Sequence, residues 1–87
     1  MNTNEDAATG TAQSKWYTEG YRAGTRFARE EAEYEELAEI ARSQGIPARW
    51  DIFRAEILNA HLGNPEFDFQ SYESGFSQAC TELFEKI

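Results

Sequence analysis

An all-α fold is predicted by three observations. Apolar and small residues recur in steps of three and four through most of the chain after Ser14, the spacing that lines one side of a helix. No segment alternates apolar and polar residues as a half-buried strand would. Both prolines stand two residues after a glycine, in Gly45-Ile46-Pro47 and Gly63-Asn64-Pro65, and so cut the periodic sequence into three pieces. The expected architecture is a small three-helix domain: one long N-terminal helix packed by two shorter ones.

Residues 1–13 (MNTNEDAATGTAQ) carry no large apolar side chain after Met1. Nothing there offsets the entropy of ordering, which predicts a disordered tail. Ser14 is a good N-cap for a first helix over about 14–44. Its stripe runs Tyr17, Gly20, Gly24, Phe27, Glu31, Tyr34, Ala38 and Ala41. Gly45 is the expected left-handed residue at its end, and Pro47 blocks continuation.

A second helix is expected over about 47–62, with Pro47 in its first turn and Gly63 just past its end. Trp50, Phe53, Ile57, Leu58 and Ala60 share its inner arc with Arg54 and His61. The third helix is expected over about 68–86, capped by Asp68, with Phe67 and Tyr72 in the two positions of a hydrophobic staple. Phe69, Tyr72, Phe76, Ala79, Cys80, Leu83 and Ile87 form its apolar stripe. In the expected packing, the second helix folds back along the acidic half of the first, and the third crosses its glycine half.

A short pattern occurs twice. Tyr17-Thr-Glu-Gly20-Tyr21-Arg-Ala-Gly24 aligns with Tyr72-Glu-Ser-Gly75-Phe76-Ser-Gln-Ala79, both fitting Tyr-x-x-Gly-aromatic-x-x-small. An interior helical glycine costs about 1 kcal/mol relative to alanine, so the pair calls for a reason. Close approach of two backbones supplies one. Tyr17, Gly20 and Gly24 are therefore expected to meet Tyr72, Gly75 and Ala79 where the first and third helices cross. Without such a crossing, these are simply glycines tolerated in two amphipathic helices.

The first helix is also segregated by charge. Lys15, Arg22, Arg26 and Arg29 outweigh Glu19 in its first half, and six glutamates without a base run from Glu30 to Glu39. That order opposes the helix dipole, so local electrostatics do not favour this helix. Arg22, Arg26, Arg29, Glu30, Glu33 and Glu36 form a candidate interaction face. Two copies packed antiparallel about Arg29–Glu30 would match basic halves to acidic halves in a two-fold homodimer. The plainer reading is a solvated charged face.

Composition narrows function by exclusion. Eight Lys and Arg against sixteen Asp and Glu leave a net charge of −8, the wrong sign for gripping nucleic acid or an anionic membrane. No apolar run approaches the ~18 residues of a membrane span. The single cysteine, Cys80, has no intrachain disulfide partner, which suits a reducing cytoplasm. One His and one Cys do not make a metal site, and neither a phosphate loop nor a nucleophile–base motif is present, so no cofactor and no enzymatic activity are expected. Cys80 on an apolar stripe is a small buried hydrophobe.

Glu31, Arg54 and His61 stand out as polar residues on apolar stripes, and Glu31 is expected to pair with Arg54 or His61. The functional expectation is a small acidic helical module that binds another protein. Twelve aromatic residues exceed what so small a core hides, leaving Trp16 or Trp50 as exposed anchors. The alternative is an acidic nucleic-acid mimic, its glutamates from Glu30 to Glu39 imitating phosphates to occupy a basic groove.

Overall fold

The computed structural model describes the backbone of residues 3–87 and the side chains from Lys15 onward. Four helices follow one another: α1 (Thr3–Glu30), α2 (Tyr34–Ser43), α3 (Asp51–Ala60) and α4 (Phe69–Lys86). Among the described residues there is no strand, and no helix is long and apolar enough to cross a membrane. α1 begins upstream of Ser14. Of residues 1–13, expected as a tail, the backbone from Thr3 onward lies within α1; residues 1–2 and the side chains of residues 3–14 lie outside those described.

The expected long helix is two helices, broken at Glu31–Glu33. The Phe27 carbonyl accepts both the Glu31 amide at 2.9 Å and the Ala32 amide at 2.8 Å, which closes α1. Glu33 is extended (φ −95°, ψ 162°), and the Glu36 carboxylate accepts its amide at 2.9 Å, which opens α2. The break has a packing cause. The buried face of α1 runs through Trp16, Gly20, Gly24 and Ala28 in steps of four. At about 100° per residue, an unbroken helix would turn Leu37 roughly 180° away from Ala28. The break resets the phase, and Leu37 and Ile40 enter the core at 2% and 0% exposure. Glu31 and Tyr34, expected on the seam, are exposed instead.

α4 packs against both α1 and α2. At its crossing with α1, glycine is obligatory. A Cβ on Gly20 would sit 1.9 Å from the Tyr72 carbonyl oxygen, and one on Gly75 would sit 2.0 Å from that of Tyr17. At Gly24 the nearest atom would be the Phe76 carbonyl oxygen, 2.5 Å away, with the Ala79 Cβ at 3.1 Å. Tyr17 and Tyr72 thus contribute their backbone to the contact. The Cys80 thiol lies wholly buried, 3.7 Å from the Gly24 carbonyl.

The helix ends differ from expectation at both glycine stops. Gln44, not Gly45, takes the left-handed conformation at φ 57° and donates its amide to Ile40 at 2.8 Å. Gly45 serves close approach, since a Cβ there would meet the Glu73 carboxylate at 3.1 Å. Pro47–Trp50 forms a separate turn, and Trp50 (ψ 58°) leaves the helical region, so α3 starts at Asp51. α3 then ends at Ala60, where His61 and Leu62 shift to i−3 carbonyls; Gly63 faces open space and has no positive φ.

α4 starts as expected. Asp68 caps it by accepting the Ser71 amide at 3.3 Å, and the Phe67 and Tyr72 rings close the staple with centroids 5.6 Å apart. Ile87, expected on the buried stripe, is exposed beyond the last turn.

Candidate protein-interaction face

α3 bridges to the rest of the molecule through its inner arc. Phe53 packs on Phe27 and Phe76, with ring centroids 5.4 and 5.6 Å away, and Trp50 stands edge-on to Phe53 at 5.8 Å. Ile57 completes the buried side. Just past α3, the His61 ring stacks on Phe67 at 4.0 Å, with Trp16 edge-on to both. His61 Nδ1 lies 2.8 Å from the Ile57 carbonyl; a carbonyl only accepts, so that nitrogen carries the proton. Trp16 is therefore buried, at 5% exposure, and is not the exposed anchor that the aromatic count suggests.

A polar node fixes the register of α3. Arg54 Nη1 donates to the Ile46 carbonyl at 3.0 Å and to Glu73 Oε2 at 3.1 Å, and the Ile46 amide donates to the same carboxylate oxygen at 2.9 Å. The guanidinium also lies over the Phe69 ring, 4.9 Å from its centroid. Arg54 thus joins α3, the loop before it and α4. Its carboxylate is Glu73, not the expected Glu31, because the break after α1 carries Glu31 out to solvent. His61 takes the Ile57 carbonyl instead. The three residues singled out as a polar group are not brought together.

With the inner arc so occupied, the outer arc of α3 faces solvent. Ile52, Ala55, Leu58 and Leu62 follow at spacings of three, three and four, and all are exposed. Ile52 and Leu62 retain 76% and 77% of their surface. Leu58 and Ala60, expected inside, are both exposed, Leu58 on this outer side and Ala60 at the end of the helix. At the N-terminal end of the stripe is an open groove of about 510 Å³, bounded by Glu36, Arg49, Trp50, Asp51, Ile52, Phe53 and Glu56. Its floor is aromatic and aliphatic, and three carboxylates stand around it. The spacing of Ile52, Leu58 and Leu62 was the available signal in the sequence. It is easily lost because Trp50, Phe53 and Ile57 mark the opposite side of the same short helix.

The charged residues expected to form an interaction face are solvated. Arg22, Arg26, Arg29, Glu30 and Glu33 are exposed, and Arg22 lies 3.8 Å from Glu19 within α1. Glu36 is spent partly on the α2 cap, and Glu39 on a forked contact with Arg49, whose Nε donates at 2.9 Å. The break between α1 and α2 removes the straight rod on which the antiparallel homodimer depended. Elsewhere on this surface, the Tyr21 hydroxyl donates to Glu82. The Gln78 amide first, and Tyr21 second, hold the Glu82 carboxyl below its ordinary pKa.

Cys80 is the one thiol, and burial pushes its pKa up to about 12, so it stays protonated at neutral pH. Among the described residues, no group of three or more His, Cys, Asp or Glu is placed to hold a metal ion. The chain matches no known family model, no curated protein and no solved structure.

Proposed function

We propose that this protein is a non-catalytic interaction module that docks another protein on the outer face of α3. One observation carries the reading: Ile52, Ala55 and Leu58 on the outer side of α3, and Leu62 just past its end, are all exposed apolar residues, while the opposite side of the helix is anchored by rings and an ion pair. Scattered apolar residues on a surface need no explanation, but a line of them beside an open groove favours an interface. The anchoring matters as much as the exposure. A helix held on one side by Phe53, Ile57 and Arg54 offers the other side already ordered, so a partner need not supply that ordering free energy.

The acidic-mimic alternative would place recognition on the glutamates from Glu30 to Glu39. Two of them, Glu36 and Glu39, are engaged within the molecule, which weakens that reading. Affinity capture from the native cell separates the two. Wild-type protein should retain a stoichiometric partner through a high-salt wash. The Ile52→Asp/Leu62→Asp form, with unchanged circular dichroism and melting temperature, should lose it. Retention by both forms refutes docking on α3, and release of the partner from wild type by salt alone favours the mimic.

A further inference from the structure

We infer that the occupant of the α3 face is an amphipathic helix whose apolar stripe is flanked by lysine or arginine. This rests on the docking face proposed above and specifies what binds there. The argument is one of charge around an apolar floor. Between Gly45 and Phe67 the sequence has two arginines, Arg49 and Arg54, and both are engaged, with Glu39 and Glu73. α3 carries no other base, and Arg49, the one cation bordering the groove, is held by Glu39, which leaves three carboxylates against one paired arginine there. The carboxylates of Asp51 and Glu56 instead flank the exposed stripe, and with Glu36 they border the groove beside Trp50.

That groove suits a long cationic side chain. Its methylene stem can lie on Ile52 and Phe53 while its charged end sits near the Trp50 ring and the three carboxylates. The stripe itself extends over eleven residues from Ile52 to Leu62, roughly 15 Å at 1.5 Å per residue, which matches about three turns of a partner helix. A second copy of this chain fits poorly. Pairing α3 with α3 would set Asp51 and Glu56 against a face that supplies no lysine and no unpaired arginine, between molecules that each carry a net charge of −8.

The test uses three synthetic amphipathic helices of equal length, built of Leu with Lys, Leu with Gln, or Leu with Glu. Affinities are measured by anisotropy, and contact sites by amide shift changes in the full chain. The Leu/Lys peptide should bind tightest, with shifts concentrated on residues 49–62. The Ile52→Ser/Leu62→Ser form should weaken it at least about tenfold, as loss of two central apolar contacts does. The Asp51→Asn/Glu56→Gln form should weaken it by about fivefold, the scale of two exposed charge pairs. If the Leu/Gln or Leu/Glu peptide binds the same face as tightly as the Leu/Lys peptide, or the Leu/Lys peptide does not bind at all, the basic-partner inference fails. If binding of every peptide is indifferent to Ile52→Ser/Leu62→Ser, or the shifts fall on α2, the docking face fails with it.

Discussion

Replacing Gly20 with alanine puts the helix crossing under direct test. A new Cβ would lie 1.9 Å from the Tyr72 carbonyl oxygen, 2.7 Å from its carbon and 2.9 Å from the Tyr72 Cα. All three are backbone atoms of α4, so no side chain can swing aside. An ordinary contact of this kind starts at 3.4 Å, so α1 and α4 must separate locally by over 1 Å. A gap of that size forfeits about half the dispersion attraction of each contact it opens. Gly24, Gly75 and Ala79 share the seam and lose packing with it. Overpacking of this kind costs about 1–3 kcal/mol or more, and alanine's better helix propensity returns about 1. With the clash against rigid backbone placing the cost at the upper end, about 3 kcal/mol, the net expectation is a loss of roughly 2 kcal/mol, or a melting temperature lower by about 10 °C in a chain of this size. Gly75→Ala should match it, Gly24→Ala should cost less, and Gly63→Ala, with no atom within 4 Å, should be neutral or slightly stabilising. Urea unfolding of the four variants with a common m-value reads the series. A Gly20→Ala protein within about 0.5 kcal/mol of wild type would refute a backbone-to-backbone crossing.

Two further outcomes follow from buried groups. Glu73→Ala removes the acceptor shared by the Ile46 amide and Arg54, leaving a nearly buried amide and a half-buried guanidinium short of partners; urea melts should show a loss of about 2 kcal/mol, and substituting Arg54→Met in the same chain should recover part of it. Cys80 should resist iodoacetamide in the native protein at pH 8 and react fully in denaturant. Its folded pKa, about 12, lies above the ordinary 9.0, so its contribution to stability is intact below pH 9.0 and is lost as pH rises from there toward 12. Prompt native labelling, or a Cys80→Ala protein that shows the same alkaline destabilisation as wild type, would contradict this.

The secondary structure was largely legible because most of its causes are local. Asp68 ahead of a periodic stripe marks the start of α4, and neither Pro47 nor Pro65 can stand in a helix interior. The glycine crossing was legible too, because an interior helical glycine costs free energy that only close approach explains. The break at Glu31–Glu33 was not. Nothing in Glu-Ala-Glu stops a helix by propensity, and a glutamate at the N-cap is not a usual signal. The stripe traced through Glu31 and Tyr34 also omitted Leu37 and Ile40, the largest aliphatic residues of that stretch. Their absence from it was the one local sign that the phase changes.

Pairing was beyond reach of the sequence for a different reason. Arg54 lies nineteen residues from Glu73, and its choice of that carboxylate over Glu31 depends on where the chain turns between α1 and α2. The same holds for Trp16, covered by Phe67 and His61 from the far end of α3, and for Leu58, turned outward because Phe53 and Ile57 claimed the core. By itself the sequence determined an all-helical chain with a glycine seam, since periodicity, caps and glycine placement act within a few residues. Only the tertiary structure decided which faces became core and which stayed open, because burial is a competition among distant segments for one limited interior.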